Sequence, residues 1–213
     1  MPAQPVPAAQ PVTRVVLATR NDHKVGELRA ILADVCAELG LEIVGATEFA
    51  GAPDVVEDEV TFEGNARLKA VALAEHTGLP SLADDSGLAV EVLGGAPGIF
   101  SARWAGRHGD DQANLDLLLA QVSDVKDEHR AAAFVCAAVL ALPDGTVRST
   151  EGRMEGSLAR EPKGSNGFGY DPVLVVEGDS RHAAELSPEE KNAISHRGKA
   201  FRAMVPHLRE LLG

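Results

Sequence analysis

Ala131-Ala132-Ala133-Phe134-Val135-Cys136-Ala137-Ala138-Val139-Leu140-Ala141-Leu142 is an unbroken apolar run, and Pro143-Asp144-Gly145 closes it. The run predicts a long apolar strand, and the Pro-Asp-Gly turn predicts a hairpin partner over Thr146 to Gly152. The first apolar segment, Val15 to Ala18, behaves differently. It runs through a polar hexapeptide into a helix, because Val25, Leu28, Ile31, Leu32, Val35, Cys36 and Leu39 recur at three- and four-residue steps up to Gly40. A hairpin in one part of the chain and a strand-to-helix unit in another predict an α/β fold, a mixed β-sheet flanked by helices.

The remaining elements follow outward from that frame. Thr61 caps a helix over about Phe62 to His76, which Gly78-Leu79-Pro80 stops. A strand carrying Asp84 and Asp85 comes next, and Leu88, Val90 and Val92 alternate into the Gly94–Gly98 turn. Leu115, Leu118, Leu119 and Val122 mark a helix from Asp111 to Val122. A glycine-rich loop, Lys163 to Tyr170, leads to a strand at Val173 to Val176, and Ser187-Pro188-Glu189-Glu190 is a capping box. The last helix should bury Phe201, Met204, Val205, Leu208, Leu211 and Leu212.

With 213 residues and 45% hydrophobic content, the chain can build a substantial core. Its formal charge of −12 argues against broad electrostatic binding to nucleic acid or anionic membrane, so a phosphate site would have to be a local cluster of Lys, Arg and N–H groups. No apolar run is long enough to span a bilayer. The Pro/Ala/Gln-rich segment 1–13 is expected to be a disordered tail before a single domain at 14–213, and Cys36 and Cys136 to be buried thiols of a cytoplasmic protein.

Four polar clusters fall at element ends. The Thr19-Arg20-Asn21-Asp22-His23-Lys24 junction enters a helix N-terminus, where free N–H groups and a partial positive charge favour phosphate; a plain helix cap is the alternative. The acidic run Asp54 to Glu59 offers Glu57 as a metal carboxylate, or is a solvated loop. Asp84-Asp85-Ser86 reads as a strand end where side-by-side carboxylates need a compensating cation or proton, a divalent metal being the simplest, although the same residues suit a turn. The fourth cluster joins Phe168-Gly169-Tyr170-Asp171 to Lys191, His196 and Arg197, an aromatic face with hydrogen-bond donors. Neither a P-loop nor a dinucleotide fingerprint occurs, and Cys/His metal spacing is absent. Oxygen ligands for a hard cation, lysines for phosphate and an aromatic with donors describe a magnesium–nucleotide site.

These residues fall in motifs that resemble the inosine triphosphate pyrophosphatase (Ham1-like) family from Val15 to Leu212. The motifs are Leu-Ala-Thr-x-Asn-x-x-Lys at 17–24, Thr-Phe-x-x-Asn-Ala at 61–66, Ala-Asp-Asp-Ser-Gly-Leu-Ala-Val at 83–90 and Gly-Gly-Ala-Pro-Gly-Ile at 94–99. Phe-Gly-Tyr-Asp-Pro at 168–172 and Glu-Lys-Asn-Ala-Ile-Ser-His-Arg-Gly at 190–198 complete them. The resemblance implies an elongated, two-lobed homodimeric enzyme with its cleft between the lobes, using Mg²⁺ to hydrolyse inosine, deoxyinosine and xanthosine triphosphates to monophosphate and pyrophosphate. By matched position, Thr19, Arg20, Asn21, Asp22, His23 and Lys24 would hold the triphosphate. Asp85 would be proton acceptor and metal ligand, Glu57 a second metal carboxylate, and Ser86 a substrate contact. Phe168, Gly169, Tyr170, Asp171, Lys191, His196 and Arg197 would bind the nucleotide around its base. Arg20 and the Glu63-Gly64 pair depart from the common pattern without touching these groups. A pyrophosphatase for modified pyrimidine or GTP-like nucleotides and a non-catalytic nucleotide sensor are the rival readings; the base motif opposes the first, and the presence of Asp85 and Lys24 the second.

Overall fold

The computed structural model describes residues 12–213, without the side chains of Asp22 and His23. A six-stranded sheet runs in the order β2-β1-β3-β4-β5-β6: β1 (Thr13–Leu17), β2 (Leu41–Gly45), β3 (Ser81–Val90), β4 (Ala131–Ala141), β5 (Val147–Leu158) and β6 (Leu174–Val176). β1 is parallel to β2 and β3, and every later pairing is antiparallel. The hairpin forms as expected around Pro143-Asp144-Gly145, with Ala141 opposite Val147. The flanking helices are α1 (Asp22–Ile31), α2 (Ala33–Leu39), α3 (Phe62–Thr77), α4 (Asp111–Gln121), α5 (Pro188–Ile194) and α6 (His196–Leu212). The mixed sheet with helices on it is therefore the observed architecture.

Local chemistry accounts for the helix ends. Thr61 Oγ1 accepts the Gly64 N–H at 3.0 Å at the start of α3, and Gly78 ends that helix in the left-handed conformation. The Ser187 capping box closes in both directions, since Ser187 Oγ accepts the Glu190 N–H and Glu190 returns its carboxylate to the Ser187 N–H.

Three expectations change. The helix expected to run to Gly40 breaks at Leu32 into α1 and α2, yet Val25, Leu28, Leu32 and Val35 all remain buried, so the apolar face survives the break. Strand β2 follows directly on Gly40 and was not anticipated. Asp84 and Asp85 sit mid-strand rather than at a strand end, opposite Ala138 and Ala137 of β4. The tail expected at 1–13 lies outside the described residues through residue 11, and Thr13 already pairs with Leu41.

The long strands β3, β4 and β5 carry two separate large cores. One packs β1, α1, α2 and α6 around Leu17, Leu82, Leu140, Phe201 and Met204. The other packs α4 and β6 around Leu88, Leu118, Phe134, Met154 and Leu174. Asp84, Asp85 and Ser86 lie on β3 between Leu82 of the first core and Leu88 of the second. Helix α6 rests directly on β5 at Gly152, where a Cβ would come within 2.9 Å of Lys199 Cβ and closer still to the His196 carbonyl oxygen and the Ala200 nitrogen. Only glycine permits that approach, and it sets the height of the α6 N-terminus above the sheet.

Candidate active site

Successive strand residues project to opposite faces, so Asp84 and Asp85 do not form the side-by-side pair that their adjacency suggested. Each carboxylate has its own partners. On one face α3 presents Asn65 and Lys69, one turn apart. Asn65 Nδ2 donates to Asp85 Oδ2 at 3.0 Å, while Asn65 Oδ1 accepts the Glu59 N–H at 3.0 Å, which fixes the orientation of the buried amide. The Ser86 N–H donates to Asp85 Oδ1 at 3.0 Å. Lys69 Nζ lies 2.6 Å from Glu57 Oε1 and 3.9 Å from Asp85 Oδ1, joining the two carboxylates through one ammonium. Burial pushes the Asp85 carboxyl above its ordinary range, and Lys69 and Asn65 only partly offset it.

Asp84 faces the other way, toward α6. Arg197 Nε and Nη2 donate to Asp84 Oδ2 at 3.1 and 3.0 Å, and Arg197 Nη1 donates to Glu27 Oε2 at 3.0 Å. Burial alone would raise the Asp84 carboxyl, but Arg197, Lys24 and Lys69 together outweigh it and hold the group well below the usual carboxylate range. The compensating charge expected for this aspartate is thus supplied by the chain itself.

Two hollows flank this segment of β3. A polar one of about 270 Å³ is lined by Thr19, Arg20, Lys24, Glu57, Lys69 and Asp84. It gathers Thr19, Arg20 and Lys24 of the expected phosphate junction with Glu57, one of the two expected metal carboxylates; Asp85, the other, is not in its lining. Within it the β1–α1 junction is ordered by Thr19 Oγ1, which accepts the Asn21 N–H at 3.2 Å, and Arg20 reaches the Ala52 carbonyl at 3.3 Å. Asp22 and His23, also expected here, lie outside the described side chains.

The second cavity, of about 610 Å³, is lined by Ser86, Phe134, Phe168, Tyr170, His196 and Arg197 among others. Phe168 is exposed, with Lys191 Nζ 5.6 Å from its ring centroid. Asp171 is buried and serves the loop: its Oδ2 accepts the Phe168 N–H at 2.9 Å and pairs with Lys191. Tyr170 donates its hydroxyl to the Ser101 carbonyl at 2.9 Å. His196 stacks on Phe134 with centroids 5.1 Å apart, and its buried Nδ1 has no hydrogen-bond partner among the described residues. Burial, reinforced by Arg197 and Lys191, pulls its pKa down to about 3. The imidazole is therefore neutral near pH 7, presenting one donor and one acceptor. Arg197 has three of its five N–H groups committed to Asp84 and Glu27.

Residues of all four expected clusters reach the two hollows, Thr19, Arg20, Lys24, Glu57 and Asp84 in one and Ser86, Phe168 to Asp171, Lys191, His196 and Arg197 in the other, while Asn21 and Asp85 line neither; residues that were not singled out as site residues join them. Asn65 and Lys69 were visible as a one-turn pair on α3. Glu27 stands one turn after Lys24 on α1, a spacing that places both on one helix face. Phe134 and Asp111 gave no comparable signal, having read as core strand and helix start.

The Ham1 family model matches residues 15–207. A Streptomyces coelicolor protein named dITP/XTP pyrophosphatase is 67% identical over 202 residues, covering 95% of this chain and all of that one. Among solved structures, a HAM1 protein from Coxiella burnetii superposes with a TM-score of 0.85 at 42% identity, covering 93% of this chain and 99% of its own. The Mycobacterium abscessus nucleoside-triphosphatase, dITP/XTP pyrophosphatase, superposes with a TM-score of 0.77 at 52% identity, covering 91% and 100%. Matches of this extent establish that the chain belongs to the Ham1 family.

Proposed function

We propose that this protein hydrolyses non-canonical purine nucleoside triphosphates, those of inosine, deoxyinosine and xanthosine, to the monophosphate and pyrophosphate, and so cleanses the nucleotide pool. One observation carries the reading. The short β3 segment Asp84-Asp85-Ser86 runs between a cation-lined hollow of about 270 Å³, which Asp84 lines, and an aromatic cavity of about 610 Å³, which Ser86 lines. The names of the relatives from Streptomyces coelicolor and Mycobacterium abscessus support the substrate class.

The donor set suits Mg²⁺. Among the described residues no group of three or more His, Cys, Asp or Glu is placed to hold a metal alone, whereas Glu57 and Asp85 share the Lys69 ammonium, and Glu57 and Lys69 line the phosphate hollow. Two carboxylates completed by water and substrate phosphates is the ligand set Mg²⁺ prefers. When bound, Mg²⁺ would neutralise phosphate charge and lower the pKa of a coordinated water.

In this reading water attacks the α-phosphorus, the bond from that phosphorus to the bridging oxygen breaks, and pyrophosphate leaves. Asp85 takes the water's proton, its carboxylate aimed by Asn65 and the Ser86 N–H. Its raised pKa makes it a better base than an exposed aspartate. Lys24, Lys69 and Arg20 offset charge on the phosphates. Phe168 stacks on the base. The His196 donor and the remaining Arg197 N–H groups face an O6 acceptor, which hypoxanthine and xanthine present and adenine does not. A buried donor left facing an amino group costs about 1–3 kcal/mol.

The two cores then correspond to two lobes about the cleft. The unpaired cysteines suit a cytoplasmic enzyme. The resemblance implies a homodimer, which light scattering would test. The decisive assay is a panel of nucleoside triphosphates with pyrophosphate and orthophosphate measured separately, with and without chelator. Inosine and xanthosine nucleotides should yield pyrophosphate only when Mg²⁺ is present. Stoichiometric orthophosphate, or full activity in excess chelator, would refute the scheme.

A further inference from the structure

Phe168 presents a problem of support. The residue is 67% exposed, so core packing does not hold it, and the flanking Gly167 and Gly169 have φ of +77° and +60°. A turn of that composition has little intrinsic preference for one shape, and external ties must supply it. Two consecutive backbone N–H groups provide them. The Phe168 N–H is held from within its own segment by Asp171, whereas the Gly169 N–H donates to Asp111 Oδ2 at 3.0 Å, 58 residues earlier in the chain.

Asp111 is the first residue of α4, and that helix is a firm post. Asp110 Oδ1 caps it by accepting the Ala113 N–H at 3.2 Å, and Leu115 and Leu118 are buried. The buried Asn114 ties it to the preceding segment, accepting the Ala105 N–H at 2.7 Å and donating to the Ala102 carbonyl at 3.2 Å. Asp111 itself lines the same cavity as Phe168.

We propose that Asp111 is a positioning residue for the base: by holding the Gly169 N–H it fixes the Phe168–Gly169 peptide to the α4 wall and presents the Phe168 ring to the cavity. The inference rests on the reading that this cavity takes the purine. Asp111 makes no covalent contribution and carries no proton in the reaction. Its loss should weaken nucleotide binding while leaving the Asp85 chemistry intact.

Asp111→Ala and Asp111→Asn separate this role from a structural one. Both remove a negative charge from the first turn of α4 and should lower Tm to a similar small extent. Only alanine removes the oxygen acceptor. Asp111→Ala should raise KM for dITP about fivefold, the scale of one lost hydrogen bond, with kcat within about twofold. Its Gly169 amide should exchange with solvent at least about tenfold faster by NMR. Asp111→Asn should recover most of both losses. Unchanged KM and exchange in Asp111→Ala, or equal losses in the two variants, would overturn the role of Asp111. A wild-type protein that fails to turn over dITP would instead overturn the proposed function, and base positioning with it.

Discussion

Arg197 grips Asp84 through two N–H groups on one oxygen, Oδ2, at 3.0 and 3.1 Å, joining the first turn of α6 to the middle of β3 across 113 residues. The side chains are only 9% and 8% exposed. Removing one member of such a pair leaves a buried charge uncompensated. Arg197→Ala should therefore cost about 3–5 kcal/mol in urea unfolding. Adding Asp84→Asn should cost less than the sum of the single changes, because the orphaned carboxylate is then gone. Strict additivity in that cycle would show that the two residues do not support each other.

Asp85 differs because its partners orient it without neutralising it fully. Asp85→Asn preserves an oxygen that can accept from Asn65, so the fold should survive with Tm changed by a few degrees at most. Turnover should fall at least about a hundredfold through loss of the base and of one metal carboxylate. A folded Asp85→Asn enzyme with near wild-type kcat would move the proton acceptor elsewhere.

What the sequence made legible was local. The Thr61 and Ser187 caps, the Pro143-Asp144-Gly145 hairpin and the α6 face are written in residues within a few positions of each other, where propensity and hydrogen bonding act directly. Leu41–Gly45 was missed as β2 because a five-residue segment interrupted by Glu42 right after a helix stop is too short to show a clear period, and its parallel pairing to β1 is a tertiary fact. The two aspartates show the same division. Their chemistry was apparent from residue type, but their opposite directions depend on β3 continuing unbroken to Val90. Glu27 and Asp111 find their partners 170 and 58 residues away, so only the folded chain could assign them.

Gly152 lets α6 set its first turn directly on β5, and that turn carries His196 and Arg197. A methyl group there meets backbone rather than a flexible side chain, so the helix itself must move. Gly152→Ala should destabilise the protein by about 1–3 kcal/mol and lower kcat/KM by about tenfold or more as the cavity wall shifts. A variant with unchanged kcat/KM and Tm would show that the approach of α6 to β5 has slack.

His196 gives the fold a specific sensitivity to acid. Buried against Phe134, with Arg197, Lys191 and Lys199 opposing its protonation and Asp84 favouring it, the imidazole has its pKa lowered from 6.5 to about 3. Between those values the unfolded chain binds a proton that the folded chain does not. The contribution to stability is therefore complete above about pH 6.5 and is lost as pH falls toward 3, at about 1.4 kcal/mol per pH unit. His196→Phe keeps an aromatic ring to stack on Phe134 and removes the titration. The stability difference between wild type and variant should be flat from pH 7 to 8. It should then move against the wild type by about 2–3 kcal/mol by pH 4.5, as read from urea unfolding at each pH. The same variant should narrow the kcat/KM preference for inosine over adenosine triphosphate at pH 7, because a donor facing O6 is gone. A stability difference that stays constant down to pH 4.5 would mean that His196 titrates in the folded chain as it does in the unfolded one, and that its burial against Phe134 beside Arg197 does not oppose its protonation.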